Sequence, residues 1–332
     1  MRRSIVNDPD DLVAEALEGL VLTHPTLLEL NAEHRYVTRK QKARDKVGLV
    51  SGGGAGHEPL HSGFVGTGML DVAVSGAVFA SPTALQVLAA TKAADAGRGV
   101  VQIVKNYTGD VLNFRIAGEI SGDDAIDTEI VLVDDDLASD TGEDDGPGRR
   151  GTAATVIVEK ICGAAAEEGR SLKEVAEIGR RVAARSRTLS LALAAGTHPG
   201  DDEPQFTLEA DEVEFGVGIH GERAKERVPF TRADDLTEQL VDPLVKELEL
   251  DRGDDVLAIV NGLGSAYPLE LSVVARALHH RLADGGIHLS RSLVGSYVTS
   301  LDMHGVSLTL MPLDDETSRL WAAPVRTPAL TW

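Results

Sequence analysis

Between residues 46 and 136, short apolar runs edged by glycine alternate with stretches of helical periodicity. That alternation restricts the fold of this 332-residue chain more than any other feature. The runs "KVGLVSGG", "LDVAVSG", "GVVQIVKNY" and "TEIVLVDDD" have the length and near-continuous apolar character of buried strands. Between them, "SPTALQVLAATKAADAG" offers Ser81 as a helix N-cap, Pro82 at the first helical position and Gly97 beyond the end. A second helix is expected over "DVLNFRIAGEIS". Strand–helix alternation of this kind implies an open, largely parallel sheet covered by helices, a three-layer α/β/α domain. A polar, glycine-rich loop is expected over residues 137–151, followed by helices over "TAATVIVEKICGAAAEEG" and "SLKEVAEIGRRVAARS".

From about residue 188 the pattern changes. "TLSLALAA", "EVEFGVGIH", "DVLAIVNGLG", "IHLSRSLVGSYV" and "VSLTLMPL" read as strands, with helices over "DDLTEQLVDPLVKEL" and "YPLELSVVARALHHRLADG". More strand per helix points to a second, two-layer α/β domain. The expected division is 1–187 and 188–332, without internal repeats.

Composition excludes several functions. There is no apolar run of about 18 residues, so no membrane-spanning helix is expected. The start, "MRRSIVNDPDDLVAEALEGL", turns acidic at once and lacks an apolar signal core, so a cytoplasmic protein is expected. Lys+Arg 32 against Asp+Glu 53 gives 32 − 53 = −21, which argues against binding nucleic acid through the general surface. The acidity reads either as an ordinary solvated surface or as adaptation to a salt-rich cytoplasm. The lone Cys162, inside a helical pattern, reads as small core filler.

Four stretches could carry chemistry. In "SGGGAGHEPLH", consecutive glycines after a strand let backbone N–H groups approach a ligand, although a glycine-rich turn alone is structural more often than not. Neither the dinucleotide fingerprint nor the phosphate-loop Lys-Ser/Thr ending is present. "HEPLH" matches the letters of a zinc motif, but that motif needs a helix and Pro59 opposes one, so no metal site is expected. In "VKNYTGDVLNF", a strand ends at Lys105 and a helix begins near Asp110. Asp110 reads as a helix N-cap or as a general base at the carboxyl end of a sheet, where ligands bind in open α/β folds. Finally, "EFGVGIHGERAKER" delivers a single imidazole, His220, among Gly216, Gly218 and Gly221, which leave room for close ligand approach.

Taken together, "SGGGAGHEP", "KNYTGDVLNF", "VDDD", "GRRGTAATVIVEKICGAAAE", "EFGVGIHGE" and "TSLDMHG...DDET...PVRTPAL" resemble the substrate-binding K subunit of dihydroxyacetone kinases, over essentially the whole chain. The resemblance implies two α/β domains, a homodimer, and dihydroxyacetone held covalently as a hemiaminal on a histidine nitrogen. Carried over by motif, that histidine is His220. His57 hydrogen-bonds the substrate and assists proton movement, Asp110 accepts the hydroxyl proton, and Gly54 and Lys105 line the same pocket. The resemblance further implies that ADP or ATP with Mg2+ resides on a separate L subunit, in some members recharged by a phosphoprotein donor. A non-catalytic ketone-binding paralogue acting as sensor or regulator is the alternative, as is a kinase subunit for a four-carbon ketose such as erythrulose. Where many members continue "GIHGE" with Pro-Gly, this chain has "RAKER". Arg223, Lys225 and Arg227 there read as a solvated loop or as a dock for an anionic partner.

Overall fold

The computed structural model describes residues 4–42, 44–140, 142, 148–223 and 226–332. Two compact units emerge, each discontinuous in sequence. One comprises Ser4–Val133, Thr155–Ala183 and Thr317–Trp332; the other comprises Asp134–Ala154 and Ala184–Glu316. The chain therefore does not change units once, at 187/188. It changes at 133/134, 154/155, 183/184 and 316/317, because the segment after the last strand of the first sheet and the segment after the last strand of the second each pack with the other unit.

The first unit contains α1 (Leu12–Thr23), β1 (Leu28–Asn31), β2 (Tyr36–Arg39), β3 (Gly48–Ala55), β4 (Val72–Val78), α2 (Ala84–Ala94), β5 (Val100–Lys105), α3 (Thr108–Asp123) and β6 (Thr128–Val133). The helices α4 (Ala154–Glu167) and α5 (Leu172–Ala184) follow. Its sheet has the order β1-β2-β4-β3-β5-β6. The four strands β4, β3, β5 and β6 are parallel, and the β1–β2 pair joins antiparallel at one edge. On one face Val50, Val72, Val74, Val100 and Val104 pack against Val87 and Ala90 of α2 and Phe114 and Ala117 of α3. The other face carries α4 and α5. Gly179 of α5 is so close to both that a Cβ there would lie 2.7 Å from Cys162 Sγ and 3.0 Å from Val131. This is the three-layer α/β/α arrangement. Cys162 is fully buried within it, and burial followed by the nearby Glu159 charge pushes its thiol up to about 12, so it is inert packing.

The second unit contains β7 (Arg187–Ala194), β8 (Glu212–Phe215), β9 (Glu226–Pro229), α6 (Ala233–Glu247), β10 (Asp255–Gly262), α7 (Pro268–Gly285), β11 (His288–Gly295) and β12 (His304–Pro312). The last helix, α8 (Asp315–Ala322), begins in this unit and ends in the first. The sheet order is β11-β10-β12-β7-β8-β9, with only β10–β11 parallel. Leu189, Leu191, Ala258, Val260, Leu308 and Leu310 pack against Leu236, Leu240 and Leu244 of α6 and Leu271, Leu278 and Leu282 of α7. Sheet and helices make two layers.

Three local expectations change. The first crossover helix, α2, is capped by Thr83 rather than Ser81, because Thr83 and Gln86 form a reciprocal capping box. Tyr107 is the N-cap residue of α3, which puts Asp110 inside the first turn. There a carboxylate still gains from the positive end of the helix dipole without capping it. The "EVEFGVGIH" run is a strand only to Phe215, because Gly216 takes φ 81° and turns the chain.

Candidate active site

In a parallel sheet, side chains at the carboxyl ends of adjacent strands converge where connections leave in opposite directions. In the first unit β3 is such a strand, with β4 on one side and β5 on the other. Its last residues are the glycines of the "SGGGAG" stretch. A Cβ on Gly53 would lie 2.3 Å from Lys105 Nζ and 3.5 Å from Asp110 Oδ2. A Cβ on Gly54 would lie 2.6 to 2.8 Å from the backbone of Phe79 and Ala80. Glycine at 54 thus lets the chain after β4 close on β3, and glycine at 53 leaves the room that Lys105 Nζ occupies. His57 follows directly, buried, with its ring stacked on Phe79 at a centroid distance of 5.1 Å. Residues 57–61 form turns rather than a helix.

Behind these groups runs a line of buried polar side chains. Asp110 Oδ2 lies 3.8 Å from Lys105 Nζ. Lys105 Nζ is 2.9 Å from His61 Nε2 and 3.4 Å from the Gly52 carbonyl. His61 Nδ1 is 2.6 Å from Glu159 Oε1 and 3.0 Å from Ser51 Oγ. Lys105, Glu159 and Ser51 are completely buried, and His61 and Asp110 nearly so. Burial, with the Lys105 and His57 charges added, holds His61 well below the usual imidazole range. Its contact with Glu159 is therefore a hydrogen bond from a neutral ring rather than an ion pair. Burial also lowers the Lys105 ammonium, opposed by Asp110 and Glu159, and pushes the Glu159 carboxyl up to about 8 against the Ser51 hydrogen bond and the Lys105 charge.

The second unit holds His220, on the turn after β8. Its Nδ1 is 3.1 Å from Glu222 Oε1, and its backbone N–H donates to Glu222 Oε2 at 2.9 Å. Gln205 Nε2 donates to the His220 carbonyl at 2.9 Å. Gly218 and Gly221 are close-approach positions: a Cβ on the first would meet Glu222 Oε2 at 2.0 Å, and one on the second Gln205 Oε1 at 1.9 Å. Arg150 backs the turn. Its Nε donates to Asp136 Oδ2 at 2.7 Å, its Nη2 to the Gly216 carbonyl at 3.2 Å, and its Nη1 lies 3.9 Å from Glu222 Oε2. Burial would raise the Glu222 carboxyl, but the His220 hydrogen bond and charge and the Arg150 charge outweigh it and hold the group down at about 2. Asp136 is raised to about 6 because burial outweighs its bond to Arg150.

Of the residues singled out in the sequence, Gly54, His57, Lys105 and Asp110 come together at the end of β3, and His220 stands on the other unit. Arg223 and Arg227 pair with Glu214, and Arg227 also with Glu212, so both are engaged with β8; Lys225 lies outside the described residues. Sequence reasoning missed His61, Glu159, Glu222 and Arg150. Two signals were available: the charged pair Glu159–Lys160 interrupts an apolar helical run, and Glu222 sits two residues from His220 within "GIHGE".

A parallel sheet with buried ionisable side chains at its carboxyl ends, and a second α/β unit presenting an imidazole oriented by a carboxylate, define a two-unit α/β protein. The chain belongs to the Dak1-domain family, whose model matches residues 18–329. It is 42% identical to the dihydroxyacetone-binding subunit DhaK of the PEP-dependent dihydroxyacetone kinase of Escherichia coli (strain K12), over 99% of each. It is 44% identical to the corresponding subunit of the PTS-dependent dihydroxyacetone kinase 1 of Listeria innocua, again over 99% of each. Among solved structures it resembles a dihydroxyacetone kinase operon co-activator, with TM-score 0.90 and 32% identity over 95% of this chain and 97% of that one.

Proposed function

We propose that this chain is the substrate-binding subunit of a dihydroxyacetone kinase, holding the ketone as a hemiaminal on His220 while one of its hydroxyls is phosphorylated. The observation that carries the reading is the His220–Glu222 pair. With Nδ1–H donated to a carboxylate, the ring is in the tautomer whose lone pair resides on Nε2. Nε2 attacks the carbonyl carbon, forming an N–C bond while the carbonyl π pair moves to oxygen. That oxygen takes up a proton, a step His57 assists. The ring becomes cationic on alkylation and keeps its Nδ1 proton, and Glu222, ionised at any physiological pH, accepts that proton's hydrogen bond and balances the charge. Attachment through a carbonyl selects ketone over glycerol, which lacks one, where hydrogen bonds alone would separate two small polyols poorly.

Transfer then needs a base for the hydroxyl proton, and Asp110 has that role. Lys105 and Gly54 line the substrate position. Nucleotide and Mg2+ belong to a separate L subunit in this reading, with a phosphoprotein as possible ultimate donor, and the K subunit acts as a homodimer. The chain with Mg-ATP alone is expected to form no dihydroxyacetone phosphate, and to form it once the nucleotide-bearing subunit is added. Product from the rigorously purified chain alone would overturn the division of labour. Ketone binding without product in the presence of a competent partner would favour a sensor or regulator, and faster turnover of erythrulose would reassign the substrate.

A further inference from the structure

We infer that His61 and Glu159 are positioning residues for the transfer step: they fix the Lys105 ammonium against Asp110. The inference rests on the reading of Asp110 as base. It follows from the direction in which each hydrogen bond must run. Ser51 Oγ has one proton, claimed by the Ile103 carbonyl at 2.8 Å and by the Glu159 carboxyl, so toward His61 Nδ1 it accepts. Nδ1 therefore carries the ring proton and donates it to Ser51 Oγ and to Glu159 Oε1. Oε1 accepts from Nδ1 when Glu159 is ionised, and when it is protonated only with the proton on Oε2, an atom with no hydrogen-bond partner among the described residues; the Lys105 ammonium facing Nε2 requires that arrangement. A neutral ring protonated at Nδ1 has its acceptor at Nε2, and that acceptor faces Lys105 Nζ at 2.9 Å.

The ammonium is then held from three sides. His61 Nε2 and the Gly52 carbonyl accept from it, and Asp110 Oδ2 lies 3.8 Å away. The bare Cα of Gly53 leaves the space in which Nζ sits. Had Nε2 carried the ring proton, two donors would face each other at hydrogen-bonding distance, and the ammonium would be displaced. Glu159 and Ser51 thus select a tautomer, the tautomer anchors a lysine, and the lysine sets the field at Asp110. His57 is the other titratable group whose charge reaches His61, and it disfavours a charged ring.

Two measurements test this. Nitrogen-15 NMR of the imidazoles in the chain alone reads the His61 tautomer, expected to be neutral and protonated at Nδ1. Protonation at Nε2, or a cationic ring at pH 7, would overturn the inference whatever the chain's activity. The second measurement is turnover of the chain with its nucleotide-bearing partner. His61→Leu is expected to lower kcat about tenfold or more with KM little changed, less than the roughly 10²- to 10⁴-fold of losing the base itself. His61→Gln, whose carbonyl can accept from Lys105, is expected to recover most of it. Lys105→Met and Lys105→Met/His61→Leu are expected to share one kcat, because His61 acts only through Lys105. Additive losses in that cycle, or a His61→Leu kcat equal to that of the parent, would overturn the inference. A parent that forms no adduct and no product would instead sink the functional reading, and the tautomer measurement would still decide the hydrogen-bond chain.

Discussion

Glu222 grips His220 twice, taking the ring Nδ1 at 3.1 Å with one carboxylate oxygen and the residue's own backbone N–H at 2.9 Å with the other. A side chain two residues along thereby fixes both the tautomer and the position of the imidazole, and Arg150 stands behind it. Removing that grip leaves the nucleophile in place and disorients it. Glu222→Ala is therefore expected to raise KM for ketone about tenfold or more, the size of a lost hydrogen bond to a charged group at about 1.5 to 3 kcal/mol. Steady-state kinetics with the complete kinase check this, and an unchanged KM would contradict it.

The remaining site residues separate by kinetic signature. His220→Ala is expected to raise KM strongly, because it removes attachment in ground and transition states alike. Asp110→Ala is expected to leave the adduct intact and lower kcat about 10²- to 10⁴-fold, since a base acts only during transfer. His57→Ala is expected to affect both. Full activity of Asp110→Ala would remove it from the mechanism.

Glu159 supplies a pH dependence with a definite sign. Its carboxyl is pushed up by burial from an ordinary 4.5 to about 8. Between those values the native state holds a proton that the unfolded chain has lost, so this residue's contribution to stability falls as pH rises from 4.5 to 8. Glu159→Gln cannot titrate. Its stability relative to the parent is expected to climb across that window and level off above 8. Denaturant unfolding of both proteins at pH 5, 6.5 and 8 checks this, and a constant difference would contradict it.

The two sheets were legible in the sequence because their central strands are continuous apolar runs bounded by glycine. The short strands β1, β2 and β9 were not, since four residues are too few to display a period. "EFGVGIH" alternates like a strand throughout, yet Gly216 ends it, and a glycine's φ is invisible in composition. The groups assigned to the proposed substrate site, Gly54, His57, Lys105, Asp110 and His220, sit in motifs and could be named. His61 and Glu159 could not be paired, because 98 residues separate them and each reads locally as ordinary: one as part of a turn, the other as a polar residue on a helix. Only the packing of α4 against the sheet reveals that this carboxyl is buried.

The central claim is the bond at His220. A crystal structure of the chain soaked with dihydroxyacetone is expected to show continuous density from His220 Nε2 to the former carbonyl carbon, tetrahedral at that carbon, with Glu222 still on Nδ1. The same soak of His220→Ala is expected to show no attached ketone. Ketone bound in the parent at van der Waals distance from His220, with a planar carbonyl carbon, would contradict the account.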